Sequence, residues 1–377
     1  MKMKKITALL LALAMSLSLA ACGGESASAG GSTPAPTEPA AQTSESADES
    51  GQTVILDRNG EVYAEAEDAD VPTEYPVTLT DQAGREVTIE AKPETLVSGY
   101  YISTSLCIAL GLQDQLVGIE AKADTRPIYA RSAPGLLELP SVGTAKEFDL
   151  EGCAALAPDL VILPLKLQDA ADSLAELGIP ALVVNPEDQT LLEEAVALVA
   201  AATDTRARAA QLADFTVKQQ NRLTELLADA ERPNVYLAGN SDFLSTAGGA
   251  MYQSSMIEMA GGRNVAQEIT DTYWASVSYE QILTWNPDYI VLASDADYTV
   301  EDVMTDPNLA GCKAVENGNV LQIPGDAEAW DSPVPGGILG SVWLSGALHP
   351  DLGIDGENMQ IINEFYETFY GFTYQEI

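Results

Sequence analysis

TRARAAQLADFTVKQQNRLTELLADA, residues Thr205 to Ala230, is the stretch whose reading decides the fold. Leu212, Phe215, Leu223, Leu226 and Leu227 recur at helical spacing with charged residues between them, which predicts one long amphipathic helix. Thr203 or Asp204 can cap its start, and Pro233 prevents it running on. At 1.5 Å per residue such a helix would be about 39 Å long, comparable to the width of a whole lobe. On either side of it the sequence says nearly the same thing twice. LEGCAALAPDLVIL (Leu150 to Leu163) precedes it and YEQILTWNPDYIVL (Tyr279 to Leu292) follows it, with Glu151/Glu280, Pro158/Pro287 and Asp159/Asp288 each 129 residues apart. Each copy reads as a short helix opened by a Glu, a Pro-Asp turn and a buried strand. A duplicated helix–strand unit around one spanning helix implies two α/β lobes joined by a stiff connection.

Outward from that helix the pattern is alternating strand and helix, as a mainly parallel sheet requires. Short strands are expected at Val77–Thr80 and Arg85–Ile89, then Leu96-Val97, Leu116–Ile119 and Ala181–Val184 in the first lobe. Asn234–Ala238 and Val320–Ile323 are expected in the second, with helices near Tyr252–Ala260, from Ile338, and near Asn358–Tyr370. Val54 to Thr73 is acidic and weakly patterned, and the folded part is expected to begin near Tyr75.

The N-terminus has a different character. Residues 1–21 run from MKMKK through an apolar stretch, Ile6 to Leu17, to small residues, the pattern of a secretory leader too short to span a membrane. Residues 23–50 contain Gly, Ser, Thr, Pro, Ala and Glu and no large apolar side chain, so they cannot bury enough surface to offset their chain entropy. The organisation read from the sequence is a leader at 1–21, a tether at 22–75, a first lobe at 76–203, a connecting helix at 204–232 and a second lobe at 233–377.

The formal net charge is −39; losing Lys2, Lys4 and Lys5 with the leader leaves 15 basic against 57 acidic residues, or −42. That argues against nucleic acid and against docking on anionic lipid headgroups. Cys107, Cys153 and Cys312 lie in apolar contexts without CxxC spacing and read as small buried hydrophobes, with one disulfide among them left open. His349 is the only histidine, which excludes a site built from several imidazoles and makes a divalent-metal site a weak rival. No G-x-S-x-G or H-E-x-x-H motif occurs, and Gly336-Gly337-Ile338-Leu339-Gly340 lacks dinucleotide-binding spacing. A secreted α/β hydrolase would have to build its triad on His349, so the reading is of a protein that is not an enzyme.

Several stretches together resemble the substrate-binding lipoproteins of ABC importers for iron complexes and cobalamin: TLTDQAGREVTI, ALGLQDQLVGI, PSVGTAKEFDLEGCAALAPDLVIL, AGGRNVA, VSYEQILTWNPDYIVL and WDSPVPGGILGSVWLSGALHP. The resemblance covers roughly residues 76–370. It implies an α/β fold of two lobes, each a mainly parallel sheet flanked by helices, joined by one long rigid helix with the ligand cleft between them. It also implies an extracytoplasmic protein, working as a monomer with a permease and its ATPase. Leu19-Ala20-Ala21-Cys22-Gly23 resembles a lipobox, which implies acylation of the Cys22 thiol and a membrane anchor through lipid alone. Glu151 and Glu280 stand where the family meets arginines of the permease, although a carboxylate in a helix's first turn is also ordinary dipole chemistry.

Lys122, Arg126, Lys146 and Lys166 follow expected strand ends or sit on cleft-side loops of the first lobe, grouping as a positive wall for an anionic ligand; Arg131 reads as a bystander. Tyr100 and Tyr101 occupy the loop after the first strand, where a phenol can hydrogen-bond a ligand or ligate iron. Tyr273, Trp274 and Trp330 are candidates to stack on a flat ligand, and Thr246 and Met251 belong to a second-lobe loop where a thioether could reach haem iron. Trp285 and Trp343 read as core. These residues point to a ferric siderophore-like metal complex as the cargo, with cobalamin, haem or a molybdate-type oxyanion as alternatives and no covalent cofactor or protein-held metal.

Overall fold

The structure, a computed structural model, describes residues 54–56, 62–65, 71–272 and 274–374. All of them belong to one compact unit, Ser46–Ile377. The expected leader, Cys22 and most of the expected tether lie outside the described residues.

The chain enters through two antiparallel hairpins, β1 (Val54–Leu56) with β2 (Val62–Glu65), and β3 (Val77–Thr80) with β4 (Glu86–Ile89). The first hairpin lies in the stretch whose pattern was too weak to assign. Asp81, at the turn of the second, is buried and accepts backbone N–H groups from Ala83 (3.0 Å), Arg85 (2.9 Å) and Val183 (3.0 Å), which fixes that hairpin to the edge of the following sheet.

The first lobe then alternates as its apolar pattern requires. Its elements are β5 (Leu96–Ser98), α1 (Tyr101–Ala109), β6 (Leu116–Gly118), α2 (Pro127–Ser132), α3 (Leu150–Ala155), β7 (Leu160–Pro164), α4 (Gln168–Glu176), β8 (Ala181–Val184) and α5 (Gln189–Thr203). The four strands form a parallel sheet in the order β6-β5-β7-β8. Strands β7 and β8 are buried at every position, matching their unbroken apolar runs.

The connecting helix α6 spans Arg206–Leu226, 21 residues and about 31 Å at 1.5 Å per residue, shorter than expected at its C-terminal end. Arg232 explains the early stop: its guanidinium donates to the carbonyls of Gly262 and Glu258 at 3.1 Å each and turns the chain back towards the second lobe. The N-terminal caps expected from Thr203 and Asp204 do not form. Thr203 donates back to the Val199 carbonyl at 2.8 Å, while Asp204 turns left-handed (φ 59°) and accepts from the Thr73 N–H and Lys92, each at 2.8 Å.

The second lobe comprises β9 (Asn234–Ala238), β10 (Ser245–Ala247), α7 (Tyr252–Met259), β11 (Arg263–Asn264), β12 (Trp274–Ser276), α8 (Tyr279–Trp285), β13 (Tyr289–Leu292), α9 (Val300–Met304), α10 (Lys313–Glu316), β14 (Val320–Gln322), α11 (Ile338–Leu348) and α12 (Asp355–Tyr370). Its main strand order is β12-β10-β9-β13-β14, with β11 beside β9. Strands β9, β13 and β14 are parallel, but β10 is antiparallel to both β9 and β12. The short connection after β9 permits only a reversal, so this sheet carries an antiparallel edge that was not expected.

The lobes share more than one helix. Helix α12 lies along α6, with Phe365 and Phe369 rings 5.2 and 6.2 Å from that of Phe215, and Arg222 donating to Glu357 (2.8 Å) and Asn358 (3.0 Å). Arg208 on α6 donates to the carbonyls of Ala109 (2.9 Å) and Thr368 (2.5 Å), tying α1 to α12. One continuous apolar core runs from β5 and α1 through α6 into α7, α11 and α12. The outer faces of the two sheets have cores of their own.

Candidate functional site

The carboxyl ends of β5, β8, β9, β13 and β14 all open onto one cleft between the lobes, the place where α/β sheets accept ligands. Its outer part is a cavity of about 450 Å³. From the first lobe it is lined by Tyr100, Tyr101, Ile102 and Glu187; from the second, by Asn240, Ser241, Asp242, Met251, Gln253, Trp274, Asp331 and Ser332. Tyr101 is shared with a smaller inner pocket that contains Arg126, Asp295 and Glu328.

The loop after β5 is shaped by a glycine. A Cβ on Gly99 would lie 2.6 Å from Leu163, so the chain can pass close to β7 and present two tyrosines at the start of α1. Their rings meet edge to face at 5.2 Å. Burial raises both phenol pKa values, so both stay protonated donors. The Tyr101 hydroxyl reaches Ser332 of the opposite lobe at 3.5 Å, and the Arg126 guanidinium lies 4.3 Å from the Tyr101 ring centroid. Arg126 in turn stands 4.0 Å from Asp295, an ion pair across the cleft.

Trp274, 38% exposed, forms the rim on the second lobe. It lies over Gly239, where a Cβ would come within 2.9 Å of the indole, so the glycine after β9 makes room for the ring.

Behind the tyrosines the walls are polar and closed. Glu120 accepts from Thr104 and Tyr129, both at 2.6 Å; burial raises its pKa against those bonds. Glu328 is fully enclosed, accepts a short hydrogen bond from Ser105 of the first lobe, and keeps Oε2 without a partner. Burial pushes its pKa up to about 7, opposed by the Ser105 bond and the Arg126 charge. Asp331 accepts from the Ser294 hydroxyl at 2.6 Å; its pKa is raised, again by burial first.

Measured against the sequence, the site differs in charge. Lys122, Lys146 and Lys166 are exposed and line neither part of the cleft; of the basic wall, only Arg126 is there, and it faces Asp295. All three lysines are solvent-exposed, the cheapest place for an ammonium. Trp330 is corrected to core: it is 1% exposed, its indole N–H donates to Tyr366 at 2.8 Å, and its ring lies 5.3 Å from that of Tyr374. Thr246 is likewise fully buried in β10, donating to the Leu237 carbonyl at 2.7 Å. Tyr273 lies outside the described residues. Tyr100, Tyr101, Met251 and Trp274 all line the outer cavity. His349 is 5% exposed and packs against Gly261, a position that lines neither part of the cleft. The three described cysteines are buried free thiols. Among the described residues no group of three or more His, Cys, Asp or Glu could hold a metal ion, and no helix is long and apolar enough to cross a membrane.

Glu187, Asp242, Gln253, Asp295, Glu328 and Asp331 were not anticipated. Asp295 is the third residue after β13, directly following Ala293-Ser294, so an acid just past a strand's carboxyl end was the available signal. Glu187 and Asp242 stand similarly beyond β8 and β9.

A family profile described as periplasmic binding protein matches residues 96–327. The chain belongs to the periplasmic binding protein family. It is 27% identical over 324 residues to the molybdate-binding protein MolA of Haemophilus influenzae, covering 79% of this chain and 92% of that one. The structure of MolA bound to molybdate superposes with a TM-score of 0.70 at 25% identity, over 79% of this chain and 99% of MolA. A periplasmic solute binding protein from Veillonella parvula gives 0.69 at 26% identity, over 79% and 93%. The vitamin B12-binding protein of Yersinia pestis is 29% identical over 219 residues, 58% of this chain and 72% of its own. As a member of this family the chain is an extracytoplasmic solute-binding protein of the ABC transporter type, with a small molecule as its ligand and a permease as its partner.

Proposed function

We propose that the chain captures a metal complex of the ferric siderophore kind in the cleft and hands it to the permease of an ABC importer, without covalent chemistry. The observation that carries this reading is the outer cavity, about 450 Å³ and walled by Tyr100, Tyr101 and Trp274, with its two sides on different lobes. That volume exceeds what a bare tetrahedral oxyanion needs and suits a compact organic chelate, and the aromatic rim offers flat faces for it. Met251 at the wall keeps haem as an alternative cargo, and cobalamin and molybdate remain comparators because relatives are named for binding them. Glu151 and Glu280 serve as docking points, and a lipid on Cys22 holds the monomer to the membrane.

The test is native mass spectrometry of the mature chain incubated with ferric hydroxamate and catecholate complexes, haem, cobalamin and molybdate. Retention of one iron chelate, lost about tenfold in affinity on Trp274→Ala with little change in melting temperature, supports the proposal. Retention of molybdate alone, or of nothing while MolA holds molybdate in the same panel, removes the metal-complex reading.

A further inference from the structure

We infer that the cleft selects a cargo whose outer surface carries positive charge, and discriminates against polyanionic chelates and oxyanions. The inference rests on the cleft being the ligand site and specifies the class of its ligand. Three observations carry it.

The first is the sign of the walls. Among the described residues, the outer cavity is lined by Glu187, Asp242 and Asp331 and by no lysine, arginine or histidine. The single cation of the inner pocket, Arg126, is set between the Tyr101 ring and the Asp295 carboxylate, so its charge is already answered. Because burial raises the Asp331 and Glu328 carboxyls, the exposed carboxylates Glu187 and Asp242 dominate the field a ligand meets.

The second is an unanswered polar atom. Gln253 is 7% exposed and lines the cavity; its amide nitrogen donates to the Asp331 carbonyl at 2.7 Å, which fixes the orientation of the amide and leaves Oε1 without a donor. Gln253 Oε1 is an acceptor. A buried acceptor left unpaired is costly, and a ligand presenting N–H or ammonium donors would recover that cost.

The third is placement. Glu187 belongs to the first lobe and Asp242 to the second, so closing the empty cleft brings like charges towards each other. A positive group between them turns that repulsion into attraction, and closure then reports loading. An anion would add to the repulsion. Neither carboxylate has a cationic partner among the described residues, and the same cavity is lined by aromatic rings, Tyr100 and Trp274, whose faces favour cations.

The test is calorimetric titration of the mature chain with two iron complexes that differ only in charge. These are the complex of a linear trishydroxamate bearing one free ammonium, and the same complex with that amine acetylated. An iron tris-catecholate and molybdate are run beside them at 50 and 200 mM salt. The ammonium complex should bind about tenfold more tightly than its acetylated form, with the advantage shrinking at higher salt. Glu187→Gln and Asp242→Asn should each cut the ratio of the two affinities about fivefold. Equal binding of the pair, or tighter binding of the catecholate or molybdate, overturns the charge selection while leaving capture in the cleft intact. No binding by any of the four removes the metal-complex reading, and the inference with it.

Discussion

Glu328 gives the molecule a pH dependence near neutrality. Its carboxyl is enclosed between Ser105, Tyr370 and the Gly336 backbone, and a Cβ on Gly336 would approach Oε2 to 2.9 Å, so the glycine leaves room for the carboxyl. Burial raises its folded pKa to about 7, above the usual glutamate value, so between those two values the folded chain holds a proton that the unfolded chain releases. The stability this contributes is complete below the unfolded pKa and is lost as pH rises through about 7. Glu120 and Asp331, also raised by burial, act in the same direction. Urea unfolding should show stability falling by up to ~3 kcal/mol between pH 5 and 8, and Glu328→Gln should remove most of that fall. A variant with the same slope as the parent would place the titration elsewhere.

At the scale of elements, the duplicated Pro-Asp turn explains why the repeat was legible. Asp159 accepts the N–H groups of Glu94 (3.0 Å) and Thr95 (2.9 Å), pinning the start of β5 beside β7; Asp288 accepts the Asn234 N–H at 2.8 Å, pinning β9 beside β13. For both aspartates burial pushes the pKa up, but the hydrogen bonds outweigh it and leave the carboxyl below its ordinary value. A local turn with a long-range staple leaves a mark in sequence, as do continuous apolar strands. The cleft did not, because its walls come from five separate strand ends, and a loop's facing depends on what packs behind it. Trp330 and Trp274 have the same side chain, yet one fills a core pocket beside Tyr366 and the other lies over Gly239 at the rim. Also hidden was the core that α6 shares with α12, since only tertiary structure brings Phe215 to Phe365. Phe215→Ala should cost about 3–5 kcal/mol and lower the melting of both lobes in a single transition, seen equally by far-UV circular dichroism and tryptophan fluorescence. Two separated transitions would mean that the lobes fold independently.

For the whole molecule, that shared core sets how it can signal. With α6 and α12 packed together across both lobes, closure is limited to small adjustments, so a permease must distinguish loaded from empty by fine differences in spacing. Under the proposed docking role, Glu151 and Glu280 report such a spacing. Each is exposed and second in its helix, behind caps from Asp149 to the Gly152 N–H at 2.8 Å and from Ser278 to the Gln281 N–H at 3.3 Å. Each helix then runs through a tight Pro-Asp turn into β7 or β13, which returns the helix's first turn to the carboxyl rim of the sheet, the rim that also forms the cleft. Under the same proposal, one carboxylate per lobe converts a small closure into a changed distance between two charges. Replacing both with alanine should therefore cut uptake in vesicles containing the permease at least about tenfold, while calorimetry finds ligand affinity within about twofold of the parent. Each single replacement should fall between, and the loss should deepen with salt if charge pairing carries the contact. Unimpaired uptake by the double variant would assign both glutamates to the dipole of their own helices and nothing more.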